Sequence, residues 1–194
     1  MVLFFIRVWY RFTMAWTKWR RPVAGVRPAE LVQEIPTRLL EGGDYRADPR
    51  ALDYLAHPRC YQARLNAGVK TFDCEDHATY WAVVLLKSGL ASKAGIGFIY
   101  WKDAEGKRQG HAVCVFEDRN GTPFWADYHM PIRMDVGAPW WAFGVDVLRA
   151  FGGKELVKVS YLEITGVKAD DTPVFKGEHL TKGRWLFSTD WMLR

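Results

Sequence analysis

Cys74, His111 and Asp127 are the side chains whose types and order could do chemistry together. A thiolate nucleophile needs a base to take its proton, and the base needs an acceptor that orients it. Cysteine, histidine and aspartate, separated by 37 and 16 residues, supply those three roles in that order. The chemistry they suggest is acyl transfer through a thioester.

Cys74 is predicted at the first position of a helix. Asp73 precedes it as a cap, and Asp76 stands three residues later as a variant capping box. Ala78, Trp81, Ala82, Leu85 and Leu86 follow the spacing of one buried helical face. The helix should run from Asp73 to about Leu86 and end at Ser88-Gly89. Unpaired N–H groups and the positive end of the helix dipole favour a thiolate there, so the Cys74 pKa is expected to fall. The neighbouring acids Asp73, Glu75 and Asp76 act against that.

His111 opens an alternating strand, His111 to Phe116, and Asp127 lies in the next, Pro123 to His129. The connection Arg119-Asn120-Gly121 fits a three-residue hairpin loop with glycine in the left-handed conformation. That loop pairs Asp118 with Thr122, and so Val113 with Asp127 and His111 with His129. His111 and Asp127 then share one face as diagonal neighbours. A two-residue Asn120-Gly121 turn would move Asp127 to the opposite face. Further strands are expected at Gly97 to Trp101, with a turn at Asp103 to Gly106, and at Leu156 to Ile164.

Taken singly, each of the three residues has a plain structural reading. Cysteine at a helix start is commonly a small buried hydrophobe. A histidine opening a strand is commonly structural, and a late aspartate commonly begins a turn. The combination carries the argument. Other polar residues have weaker claims. Gln62, and less so Asn66, could donate a side-chain amide to an oxyanion beside the N–H of Cys74. His77 lies one helical turn after the cysteine, badly placed for a carboxylate to orient it. His129 could add a second polar group to the cleft.

The stretch Thr71-Phe72-Asp73-Cys74-Glu75-Asp76-His77-Ala78 resembles the active-site motif of transglutaminase-like cysteine peptidases, in which Gly-Asp-Cys-x-Asp-x-Ala opens a helix. Gly110-His111-Ala112-Val113 and Trp125-Ala126-Asp127 are similar to the family's histidine and aspartate strands. The resemblance covers residues 44 to 130. It implies a papain/transglutaminase-like α+β fold, with the cysteine-bearing helix packed on an antiparallel sheet. It also implies attack of the Cys74 thiolate on an amide of a protein or peptide, with His111 carrying the proton. Phe72 stands where the family has glycine, and is expected in the cleft, narrowing the approach to the thiol.

The remaining sequence bounds the rest. The chain has 194 residues and 49% hydrophobic content, enough for one globular domain without a metal or disulfide staple. The spacing of Cys60, Cys74 and Cys114 matches no zinc signature and no disulfide framework, and there is no glycine-rich phosphate loop. Neither a metal nor a cofactor is expected. A reducing, cytoplasmic location is expected.

The net charge of +5 is unevenly placed: residues 1–29 carry six basic and no acidic side chains, leaving −1 for the remainder. Trp9, Tyr10, Phe12, Trp16 and Trp19 interleave with those basic residues. Residues 1–28 thus form a basic aromatic arm, suited to an anionic partner or to docking on its own domain. Arg7 and Arg11 break its apolar run, so it is not expected to act as a secretory signal, and no segment approaches the apolar length of a membrane span. Residues 29–166 are expected to form the catalytic domain and 167–194 an extension packed on it, loop with one late strand. Short helices are expected at 29–40 and from Pro49 to about Leu55, the latter stopped by His57-Pro58.

The expected activity is cysteine-dependent amide hydrolysis. The alternatives are transglutaminase or deamidase acyl transfer, and a non-catalytic module binding through the arm.

Overall fold

The structure is a computed structural model that describes residues 12, 44–45, 55–68, 71–128, 131–135, 137, 141–176 and 180–183. The basic arm, Phe12 apart, lies outside those residues, as do the expected helix at 29–40 and the segment from Pro49 to Tyr54.

The chain is α+β. Helix α1 spans Pro58–Asn66 and α2 spans Cys74–Lys87. Strands β1 (Asp44–Tyr45) and β2 (Thr71–Phe72) form a short parallel pair. The main sheet is antiparallel and contains β3 (Ala91–Lys102), β4 (Arg108–Asp118), β5 (Pro123–Ala126), β6 (Ile132–Arg133), β7 (Glu155–Val167) and β8 (Pro173–Phe175). Its order is β6-β5-β4-β3-β7-β8, and β9 (Leu180–Gly183) also pairs with β7. Helix α3 spans Phe143–Ala150.

The expected strands at 97–101, 111–116 and 156–164 lie within β3, β4 and β7. Two points differ. His57-Pro58, expected to stop a helix whose residues lie outside those described, itself begins one. Proline at the first helical position loses no needed donor, and the His57 ring accepts the Arg59 N–H at 3.2 Å as the cap. Past Gly166 two strands add to the sheet where one was expected.

Helix α2 starts as its sequence indicates: the Asp73 carboxylate accepts the Asp76 N–H at 3.1 Å. Its burial goes beyond one face. Thr79, Tyr80, Val83 and Val84 are sealed along with Ala78, Trp81, Ala82 and Leu85, because β3 and β4 cover one side and α1 the other. Each valine or leucine so buried contributes about 1.5–3 kcal/mol.

The sheet separates two cores. Ala112, Cys114, Phe116 and Ala126 face α2, whereas Val113, Trp125 and Val159 face α3. Helix α3 reaches the sheet through glycine. A Cβ on Gly97 would stand 2.5 Å from the Phe143 ring, and one on Gly144 would stand 2.4 Å from Val159.

Asp171 ties the turn after β7 to both helices. Its carboxylate takes Arg59 Nε of α1 at 2.6 Å and Lys87 Nζ of α2. Burial alone would raise its pKa, but the hydrogen bonds from Lys87 and Arg59 outweigh that and lower it. The backbone there has a φ of 68°, which asparagine tolerates. Asp171→Asn should therefore cost about 2 kcal/mol by urea unfolding at pH 7. A depressed folded pKa gives stability that is present above the unfolded value and lost as pH falls through the folded one. Wild type and variant should accordingly begin to converge as pH drops below about 4 and meet once it has passed the folded pKa; a gap unchanged through that fall would show that charge is not what Asp171 contributes.

Candidate active site

The β4–β5 hairpin has the three-residue loop. Asp118 N–H bonds Thr122 O at 2.9 Å, and Gly121 has a φ of 78°. The register pairs Cys114 with Ala126, so Val113 stands opposite Asp127. His111 and Asp127 consequently share the α3 side of the sheet. His111 Nε2 lies 3.0 Å from Asp127 Oδ1. Both atoms are sealed from solvent, and their approach misses the in-line angle of a full hydrogen bond. Hydrogen bonds of this kind commonly tighten only when substrate is bound.

β5 leaves β4 after the Cys114–Ala126 pair. The next β4 residue beyond that gap on the same side of the pleat is Ala112, and its backbone N–H reaches the Cys74 sulfur. The thiol itself donates to Glu75 Oε2 at 3.0 Å. Cys74 is thus at the first position of α2, as expected, and lies against the residue that follows His111.

The expected fall in its pKa is not what the surroundings produce. Burial raises it well above the ordinary thiol range, Glu75 and Asp73 raise it further, and the Ala112 N–H only partly offsets them. The helix dipole is outweighed because Cys74 is only 7% exposed and adjoins two carboxylates. The other two thiols are raised as well. Burial pushes Cys60 up to about 11, with Asp76 adding to it, and raises Cys114, which is fully enclosed.

A cleft of about 650 Å³ opens beside the dyad. His111 and Asp127 line it with Trp101, Trp125, Tyr128 and Phe151, so its walls are largely aromatic. The Phe151 ring lies 4.8 Å from that of His111.

Other expected site residues have different places. The Gln62 side chain is occupied in the helix interface: its carbonyl accepts the Tyr80 hydroxyl, and its NH2 donates to Asn66 Oδ1 at 2.9 Å. It is a core residue of α1. Phe72 does not line the cleft. Its ring is buried in a stack with Tyr61 at 3.7 Å, with the Arg64 guanidinium 4.6 Å over it. An aromatic ring in β2 gains more from that stack than from exposure. His129 lies outside the described residues. Among those residues, no group of three or more His, Cys, Asp or Glu side chains is arranged to hold a metal ion. No described helix is long and apolar enough to cross a membrane.

His77, which helical position alone set aside, is tied at both ring nitrogens. Its Nδ1 lies 2.6 Å from the Tyr61 hydroxyl and its Nε2 lies 2.8 Å from the Asp127 carbonyl. The only sequence signal for this was a polar ring on a helix face otherwise given to the core.

Compared with protein-family models, characterised proteins and solved structures, the chain has no match.

The Glu75 contact has a direct consequence. Glu75→Gln removes a charge that raises the thiol's pKa, so Cys74 should ionise more readily. Its iodoacetamide labelling at neutral pH should rise by about tenfold for each pKa unit lowered. A labelling profile against pH identical to wild type would remove Glu75 from control of the thiol.

Proposed function

We propose that this chain is a cysteine-dependent amide hydrolase of the transglutaminase-like kind, with a papain/transglutaminase-like fold. Cys74 is the nucleophile, His111 the general base and Asp127 the residue that orients it. The single observation that carries this reading is the meeting of three distant segments: Asp127 3.0 Å from His111 Nε2, and the Cys74 sulfur on the N–H of the residue next to His111.

The Asp127 carboxylate lies on the Nε2 side of His111, so on this reading Nδ1 is the nitrogen that exchanges a proton with the thiol. Because burial and Glu75 hold Cys74 protonated, the thiol is not a standing thiolate. Transfer to His111 accompanies attack on the carbonyl. The sulfur forms a bond to the carbonyl carbon, and the C–N bond then breaks as His111 returns the proton to the leaving amine. Water, deprotonated by His111, resolves the thioester to a carboxylate and the free thiol. An amine in place of water would give transamidation by the same steps.

The developing oxyanion needs donors. The N–H of Cys74 is one, since the first helical position has no intrahelical carbonyl to reach. The aromatic cleft beside the dyad gives a peptide chain a surface on which to lie.

The test compares wild type, Cys74→Ser, His111→Ala and Asp127→Asn on a library of quenched fluorescent peptides, with labelling of each cysteine read by mass spectrometry. Cys74→Ser should keep its unfolding midpoint and lose cleavage. His111→Ala should lower the rate by about 10²- to 10⁴-fold and slow Cys74 labelling. Asp127→Asn should lower the rate while leaving Cys74 alkylatable. Cys74 labelling no faster than that of Cys60 and Cys114, and indifferent to His111→Ala, would sink the reading.

A further inference from the structure

We propose that His77 is a positioning residue: one turn of α2 holds both the nucleophile and the hydrogen-bond donor that fixes the orienting carboxylate. The inference rests on the acyl-transfer reading above and adds a residue to it.

The proton inventory leaves one arrangement. The Asp127 carbonyl can only accept, so His77 Nε2 carries a hydrogen and donates it across 2.8 Å. In the neutral ring Nδ1 then has a lone pair, and accepts from the Tyr61 hydroxyl at 2.6 Å. His77 is 2% exposed and Tyr61 is 1% exposed, so water does not substitute for either bond. Tyr61 cannot easily turn away. It stacks between Phe72 at 3.7 Å and Tyr80 at 4.3 Å.

The position of this bond is what gives it a role. The β4–β5 ladder ends at Ala126, so Asp127 is the first residue of β5's exit without a strand partner in that pairing. A carbonyl buried there needs a donor, and His77 is that donor. The next residue is held as well: the Tyr128 ring lies 4.5 Å from that of His77, and its hydroxyl donates to Phe72 O at 3.3 Å. Cys74 and His77 stand at the first and fourth positions of the same helix. A rigid helical turn therefore sets where the Asp127 carboxylate lies relative to the sulfur, and through it the ring of His111. Tyr61 contributes by choosing the His77 tautomer that donates.

Three variants separate positioning from mere packing. His77→Leu fills the site and removes the donor. His77→Gln keeps an amide N–H that can reach the Asp127 carbonyl. Tyr61→Phe keeps the stack and removes the hydroxyl that selects the tautomer. The first readout is the ¹⁵N spectrum of the His111 ring. Wild type should show the Nε2–H form, His77→Leu a mixture of forms, and His77→Gln the wild-type pattern again. The second readout is the pH profile of Cys74 labelling by iodoacetamide. His77→Leu should slow its His111-dependent part by about tenfold to a hundredfold, as expected for a small displacement of a reacting group, and Gln should restore it.

Should His77→Leu not fold, Tyr61→Phe still decides, because the tautomer loses its selection without loss of ring packing. The proposal is overturned if His77→Leu, or in its place Tyr61→Phe, keeps both the His111 nitrogen pattern and the labelling profile of wild type. It is also overturned if Gln is no closer to wild type than Leu. Failure of the acyl-transfer reading has a separate signature. His111→Ala would then leave Cys74 labelling unchanged in an otherwise wild-type chain, while the ring-nitrogen spectra would still report whether His77 holds the dyad.

Discussion

The first turn of α2 meeting the edge of β4 is the constraint on which the rest depends. The cysteine is local to a helix, the histidine to a strand, and neither can approach the other until the helix docks. Docking is driven by the length of α2 behind that turn, which is sealed between the sheet and α1. The apolar residues from Ala78 to Leu85 thus do the work of bringing Cys74 to Ala112. Space for the meeting exists because β5 is short: had it continued pairing past Ala126, its backbone would occupy the gap beside Ala112.

A second constraint is parity. Strand side chains alternate, so a slip of one residue in the β4–β5 pairing would send Asp127 to the α2 side and away from His111. Gly121, with its positive φ, secures the loop that fixes the count.

The sequence was most legible where a local rule decides the outcome. Asp73 capping α2, the alternation of β4 and the three-residue Arg119-Asn120-Gly121 loop each follow from short-range chemistry, and together they place Cys74, His111 and Asp127. Less legible were features that depend on distant partners. His57-Pro58 can stop one helix or start another, and only the chain before it discriminates. Helix α3 is marked in the sequence by little besides glycines, whose purpose, close approach to the sheet, is visible only once Val159 and Phe143 are in place. Gln62 has the chemistry of an oxyanion donor but spends it on Tyr80 and Asn66. His77, set aside by its helical position, binds a backbone carbonyl 50 residues away.

The acids around Cys74 show two demands on one set of charges. Asp73 caps α2, and Asp76 accepts the Ala56 N–H that leads into α1 at 2.5 Å, so the fold uses both. Negative charge at a helix N-terminus is favourable for the helix. For the thiol it is unfavourable: burial raises the Cys74 pKa most, and Glu75 and Asp73 on either side raise it further. A residue placed here for reactivity alone would be surrounded by donors. What the structure has instead is a buried thiol that donates to Glu75 and adjoins Asp73 as well, one strand residue away from His111. On the acyl-transfer reading proposed above, the charge on sulfur need never stand by itself: it would form only as the bond to carbon forms, and pass at once to an oxyanion near the N–H groups of the same helix end. The acids that start the helix then restrain the resting thiol without opposing the transition state to the same degree, because there the negative charge has moved from sulfur to oxygen.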